Sequence, residues 1–361
     1  LKAAPVNIGT LCIHCGSHKT VILRKKDYYC DDCFMVNTNH KFRACIGKNK
    51  VLSPNENVLI GLSGGVGSTV LLDLVHYDDN GKDLAGSTIK QCRNYNFNVY
   101  VVHLAEYMNT NFQLPETNCI PDVEEKETKA FHDMLDSMPP SAVTDFLLKI
   151  KRMLLVAYAK QLKCNIVFTA ETTNTLAVNL LSNLALGRGS QVQNDIGFRD
   201  VRDENVKIIK PIKEISNEEL NYYCSIKQLA PVNSSNIKNN SLQSVISSFV
   251  SDLQENFQAT ISTVCKTADK IGDLNSEFKR HERCIICEQY YIIIIIKMSY
   301  HDKVLFIYNI YNLVICSNSS KFVQHVGNTG DPPRLARRHL PFMFITILSF
   351  KMEPTMHINK I

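Results

Sequence analysis

The stretch VLIGLSGGVGSTVLLDLV, Val58 to Val75, carries the reading of the architecture. Val58–Leu62 is a short apolar run of strand type, and Thr69–Val75 has apolar spacing compatible with a helix. Between them lies SGGVGS, Ser63 to Ser68. Strand, Gly/Ser loop and helix in that order aim backbone N–H groups and a helix N-terminus at one spot, which is how a chain cradles a phosphate. The loop is not of Walker type, because no Gly-Lys-Ser/Thr follows, and it lacks GxGxxG spacing. Ser63, Gly64, Gly65, Gly67 and Ser68 are therefore candidate nucleotide-binding residues. The plainer alternative is a tight glycine turn in an α/β sheet.

Upstream, Cys12 and Cys15 form one CxxC and Cys30 and Cys33 another, with fourteen residues between the pairs. Two such knuckles suit a closed, four-thiolate structural zinc site. The intervening TVILRKKDYY reads as the short hairpin that such a site staples. The competing readings are four unrelated thiols or a disulfide pair, and nothing marks the chain as secreted. His14, inside the first knuckle, is a further candidate ligand, with a solvent- or RNA-facing role as the alternative.

With 361 residues, 45% hydrophobic and 21% charged, the chain belongs with globular proteins long enough for two or more domains. It starts at Leu1, which suggests a fragment, and shows no basic-then-apolar signal peptide and no apolar stretch of membrane-spanning length. Thirteen cysteines, mostly outside CxxC pairs, favour a reducing cytoplasm or nucleus. Residues 1–60 hold nine Lys or Arg against four acids, so this part carries the whole net charge of +5. A basic metal module beside a nucleotide-type loop suits an RNA partner held through its phosphates, and a solvated lysine-rich face is the alternative. Lys41, Arg43, Lys48 and Lys50, on the basic helix expected over residues 34–50, are the candidate RNA contacts.

Further strands are expected at Asn98–Leu104, Asn165–Ala170 and Val206–Ile212, with helices at Phe146–Leu162, from Thr175 to the Gly187-Arg188-Gly189 turn, and at Ser216–Ile226. Ser216 and Glu219 have capping-box spacing. Strands alternating with helices imply a parallel sheet with its ligand at the strands' carboxyl ends. Residues 232–251, rich in Ser and Asn, read as a linker before a helix and a third knuckle, Cys284 and Cys287, which supplies two candidate metal ligands. From about Tyr291 the pattern loses periodicity, and this tail reads as translated non-coding sequence. The expected division is a zinc-binding basic module and helix over 1–50 and an α/β domain over 51–232. Linker, helix and knuckle follow over 233–290, and the anomalous tail over 291–361.

SGGVGS resembles the SGGxDS loop of the PP-loop ATP pyrophosphatases, with Gly67 where that pattern has Asp. CIHC, CDDC, HKFRACIGKNK (His40–Lys50), NLALGRGS (Asn183–Ser190) and RCIIC (Arg283–Cys287) extend the likeness. Together they resemble the cytoplasmic tRNA 2-thiolation protein 2 family. The resemblance implies an α/β, PP-loop (adenine nucleotide alpha hydrolase-like) parallel sheet with an N-terminal zinc-ribbon-like module. It implies a cytoplasmic subunit that binds tRNA and forms a heterodimer with the catalytic thiolation subunit. A ubiquitin-related modifier would supply sulfur, as a thiocarboxylate, for carbon 2 of the wobble uridine, and a role in attaching that modifier to other proteins is allowed. Arg188 would approach the nucleotide phosphates, with a surface turn as the alternative.

The catalytic relatives carry a CxxC whose slots fall near Thr144 and Leu147, a cysteine near Asn233, and an acidic pair at a turn matching Glu171–Thr175; this chain has none of them. A thiolate or iron–sulfur carrier and a polarised phosphoanhydride are therefore both incomplete. The expectation is a degenerate site with no catalytic residue, structural zinc, and ATP binding left open. The rival readings are a competent sulfurtransferase that adenylates uridine itself and an unrelated zinc-binding interaction protein. Cys164 and Cys224, in apolar surroundings, read as core thiols.

Overall fold

The computed structural model describes residues 11–53, 56–80, 98–108, 113–117, 121, 124–189, 192–231, 241–272 and 344–351. Cys284 and Cys287 lie outside them.

The N-terminal module is a hairpin on a helix. Strands β1 (Val21–Leu23) and β2 (Asp27–Tyr29) pair antiparallel, with Ile22 opposite Tyr28. The three-residue connection between them, residues 24–26, places Arg24 and Lys25 at φ 51° and 57°, in the left-handed region, with the Lys26 N–H donating to the Leu23 carbonyl at 3.1 Å. Helix α1 (Asp31–Lys48) follows, and Phe34, Thr38, Phe42, Cys45 and Ile46 form its buried stripe.

The second layer begins with β3 (Asn57–Leu62) and helix α2 (Val66–Asn80), as the strand–loop–helix reading requires. β4 (Asn98–His103), α3 (Glu125–Asp136), α4 (Pro140–Gln161), β5 (Ile166–Phe168), α5 (Thr173–Ala185) and the short α6 (Val192–Ile196) come next. β6 (Arg199–Asp200), β7 (Lys207–Ile209) and α7 (Asn217–Lys227) complete this run. β3, β5 and β7 are parallel, with Val58, Leu59 and Ile60 opposite Ile166, Val167 and Phe168. Successive residues serve opposite faces of the sheet. Val58, Ile60, Ile166 and Phe168 pack with α2 and α7, while Leu59 and Val167 pack with α3 and α4. Burial on both faces is what keeps these strands apolar without a break.

Three features differ from the sequence expectation. β6 runs antiparallel to β7, because the connection between them is too short for a crossover. Phe344–Lys351 forms β8, antiparallel to both β3 and β4 and lying between them. Part of the stretch set apart from the family pattern thus pairs in the sheet; its origin in non-coding sequence stays a proposal. Residues 242–251 are helix rather than linker. Ser241 accepts from the Ser244 N–H and starts α8 (Leu242–Asn256), which α9 (Gln258–Gly272) follows. Val250 of α8 and Ile261 of α9 are buried with Ala177 of α5, so tertiary burial overrides the low helix propensity of the serines.

The hairpin module is fastened to the sheet domain through α7. Ser216 and Glu219 form the anticipated capping box, and the same Glu219 carboxylate, buried, accepts from Lys41 of α1. The Phe34 and Tyr222 rings meet edge to face at 6.2 Å. Behind them, Tyr223 donates to Asp73 of α2 at 2.7 Å. Glu219→Ala loses a cap worth about 1 kcal/mol and strips the partner from a half-buried ammonium for about 1–2 kcal/mol more. Lys41→Met keeps the packed stem and is expected to cost about half as much, a difference that urea unfolding followed by circular dichroism measures.

Candidate functional site

Two features stand out: the cysteine cluster of the hairpin module, and a cavity at the carboxyl ends of the parallel strands. In the first, the sulfur atoms of Cys12, Cys15, Cys30 and Cys33 all lie within 4.8 Å of one another, and those of Cys15 and Cys30 are 3.5 Å apart. Four sulfurs around one ion with Zn–S-type bonds sit about 3.8 Å apart, so the set needs little movement to bind. Burial would raise the Cys12 thiol, but backbone N–H groups of Cys15, Cys30 and His14 donate to its sulfur and bring it down to about 6. The thiols of Cys30 and Cys15, followed by burial, push Cys33 up to about 12. The first thiolate forms readily and the last is opposed by its neighbours, a conflict that a divalent cation removes. The residues fit a metal. His14 is exposed, its ring 5.5 Å from that of Tyr29.

The Ser/Gly loop keeps the geometry of its class but is closed where the Asp is missing. Gly64 has φ +78°, the Ser68 hydroxyl donates to the Gly65 carbonyl at 2.9 Å, and the Thr69 N–H donates to the same oxygen at 3.0 Å. A Cβ on Gly67 would stand 2.9 Å from the Ala170 carbonyl oxygen and 3.7 Å from Thr172 Cγ2. The chain after β5 therefore occupies the space that a side chain at Gly67 needs. The following turn is also committed elsewhere. Thr172 caps α5 by accepting from the Thr175 N–H, and Asn174 Oδ1 accepts from the Asn217 N–H at 3.2 Å.

Beside this loop lies a cavity of ≈ 430 Å³, reaching from Ser63 to Gln243 of α8. Its lining has six basic side chains, Lys149, Lys151, Arg152, Arg188, Arg202 and Lys210, against the four acids Asp145, Glu171, Asp195 and Asp200. Most of the cations are internally committed. Arg152 and Arg202 both clamp Asp200, each with a 2.6 Å contact, and Arg202 also reaches Asp195 at 2.8 Å. Burial would raise Asp200, but hydrogen bonds and charge from Arg202 and then Arg152 hold it well below the usual carboxylate range. Lys210, buried, donates to the Asn194 and Gly197 carbonyls, and burial lowers its pKa. Arg188 lines the cavity with Ser63, yet its guanidinium is held by Asp145 at 2.5 Å.

The sequence candidates thus separate. The four cysteines come together, while Arg188 is drawn to α4 by Asp145. Lys41, partly exposed, is paired with Glu219, while Arg43, Lys48 and Lys50 are exposed. Cys164 and Cys224 are core thiols, pushed up to about 11 by burial. Sequence reasoning missed Lys151, Glu171 and Gln243 as cavity residues. The Lys-Ile-Lys-Arg run at 149–152 is the only local hint, and it reads as a solvated face until α4 is placed on the sheet.

The sequence profile described as cytoplasmic tRNA 2-thiolation protein 2 matches residues 241–292. The protein of that name from Drosophila willistoni is 29% identical over 326 residues, covering 79% of this chain and 79% of its own. That from Drosophila grimshawi is 32% identical over 268 residues, covering 67% and 66%. The chain belongs to the cytoplasmic tRNA 2-thiolation protein 2 family. Among solved structures, the U34-tRNA thiolase NcsA from Methanococcus maripaludis, with its 4Fe–4S cluster, superposes with a TM-score of 0.56 at 20% identity. That match covers 76% of this chain and 90% of NcsA, and it establishes the shared PP-loop thiolase fold.

Within this family member, Gly67→Asp is expected to destabilise rather than restore a nucleotide loop. Pushing Ala170 away is an overpacking of the kind that costs about 1–3 kcal/mol. The expected readings are a lowered melting temperature and no gain of ATP hydrolysis.

Proposed function

We propose that this protein is a non-catalytic subunit of a cytoplasmic tRNA thiolase, required for 2-thiolation of the wobble uridine. It binds tRNA and stabilises a catalytic partner in a heterodimer, while a ubiquitin-related modifier delivers the sulfur. Family membership and the thiolase fold support the pathway. The closure of Ala170 over Gly67 supports the division of labour, because it removes the room for a catalytic carboxylate in the loop.

The four-cysteine module is proposed to hold zinc as a structural ion. Zinc there would neutralise the thiolates and pin both ends of a hairpin whose turn has no glycine. Ser63, Gly64, Gly65 and Ser68 keep backbone amides at a helix N-terminus, but Ser68 spends its hydroxyl on Gly65. Lys41, which also holds Glu219, and the exposed Arg43, Lys48 and Lys50, on α1 and just after it, are the proposed tRNA contacts. Cys284 and Cys287 are proposed as further metal ligands. The proposed units are 1–50, 51–232, 233–290 and the anomalous stretch 291–361.

Mass spectrometry of tRNA from depleted cells tests this. Depletion is expected to lower wobble 2-thiouridine, a Ser63→Ala/Ser68→Ala form to restore it, and a Cys30→Ser/Cys33→Ser form to fail. Unchanged thiolation on depletion overturns the function; failure of a folded loop variant overturns the non-catalytic assignment. Elemental analysis of the purified chain is expected to find zinc at the hairpin cluster, released by a mercurial and reduced in the cysteine variant.

A further inference from the structure

The C-terminus of α1 meets the edge strand β6, and the contact gathers positive charge. A guanidinium N–H of Arg199 donates to the Asn49 carbonyl at 3.3 Å, between residues 150 positions apart. Asn49 is the C-cap of α1, with Lys48 before it and Lys50 after it. The contact therefore brings Arg199 to Lys48 and Lys50, and all three residues are exposed. Asp200, the next residue of β6, is buried and lines the cavity beside the Ser/Gly loop, whereas Arg199 does not. Successive strand residues point to opposite sides, which keeps this cluster apart from that cavity.

Part of this charge has a local explanation. A helix C-terminus leaves carbonyls unpaired and carries roughly half a negative charge, so one cation there is stabilising. Three cations exceed that charge several-fold, and among the described residues no acidic side chain pairs with any of them. Other groups already close the helix end. The Asn49 side-chain amide donates to the Cys45 carbonyl at 2.7 Å, and the Lys50 N–H donates to the Gly47 carbonyl at 3.1 Å. Lys50 also takes φ +46°, the left-handed conformation that glycine or asparagine adopts with least strain at the end of a helix. Helix stability is therefore poorly served by a lysine there, yet the lysine completes the cluster. An unbalanced positive cluster on a rigid element attracts a polyanion. None of the three side chains offers a ring on which an unpaired base could stack, so the match is to backbone phosphates.

We infer that Lys48, Lys50 and Arg199 form one composite surface for the phosphodiester backbone of RNA, to which the sheet domain contributes Arg199. The inference deepens the proposed tRNA-binding role and rests on it. Arg199 spends one N–H on Asn49 and keeps the rest of its planar fork for phosphate oxygens. Because α1 is held to α7 through Lys41 and Glu219 and meets β6 through Arg199, an RNA seated on this surface bears on both modules at once.

Fluorescence anisotropy of a labelled tRNA transcript with the full chain, over a series of salt concentrations, tests it. Arg199→Ala is expected to weaken binding roughly three- to tenfold at ~0.1 M salt and to lower the slope of log affinity against log salt by about 1. Lys48→Ala/Lys50→Ala is expected to lower that slope by about 2, and Arg199→Lys to restore most of the affinity by restoring the charge. Melting temperatures are expected to stay unchanged. Lys129→Ala, on α3 and exposed on the other face of the sheet from α1, is expected to bind as the parent does. No binding of tRNA by the full chain overturns the tRNA-binding role and this surface with it. Binding that Arg199→Ala and Lys48→Ala/Lys50→Ala leave unchanged overturns the surface and leaves the role standing. A weaker Arg199→Ala with an unchanged salt slope and a lowered melting temperature makes Arg199 a helix cap only, which also overturns it. Polyglutamate binding as tightly as tRNA, with the same loss in Arg199→Ala, overturns the RNA assignment in favour of an acidic protein.

Discussion

The approach of the Ala170 carbonyl to the bare Cα of Gly67 sets the shape of the carboxyl end of the sheet. In a parallel α/β domain, ligands gather where the strands end and helices begin, and the space there depends on how closely neighbouring strand ends approach. Here β3 and β5 are adjacent and in register, so the turn after β5 falls directly against the loop after β3. A side chain at Gly67 would hold the two apart. The Ser68 hydroxyl donates to the Gly65 carbonyl, and Thr172 and Asn174 serve as capping and bridging groups for α5 and α7.

The space lost at the loop contrasts with the space left beside it. The cavity wall is rigid because its charges are mutually satisfied: Asp200 between two guanidinium groups, Arg188 on Asp145, and Asp145 in turn on Gln243. Asp200 keeps its charge in a buried setting because two arginines converge on it, and removing both would leave a desolvated, unpaired ion. Such a network holds the cavity wall more firmly than loop residues could.

The four-cysteine hairpin module is an integrated part of the molecule. Its helix α1 packs on α7 through Phe34 and Tyr222, and the Glu219 that caps α7 also holds Lys41. One carboxylate thereby serves two elements, which ties the orientation of the basic helix face to the sheet domain. The exposed Arg43, Lys48 and Lys50 are carried in a fixed relation to the cavity as a result.

Features set by local chemistry were legible from the residues alone. The strand–loop–helix at Val58–Val75, the paired CxxC knuckles and the Ser216–Glu219 box each rest on spacings of a few residues, where backbone geometry leaves few options. Partners far apart in the chain were not legible. Lys41 meets Glu219 across 178 residues, and nothing beside Lys41 in the chain announces that partner. Arg188 between two glycines looks free to meet a phosphate until α4 brings Asp145 to it. The serine-rich start of α8 looks like a linker because its few apolar residues acquire meaning only against α5. Gly67 shows both sides of the division: its identity announces a missing carboxylate, but only the packing of β5 beside β3 shows that the vacated space is filled, since van der Waals exclusion acts between atoms that the linear chain does not place together.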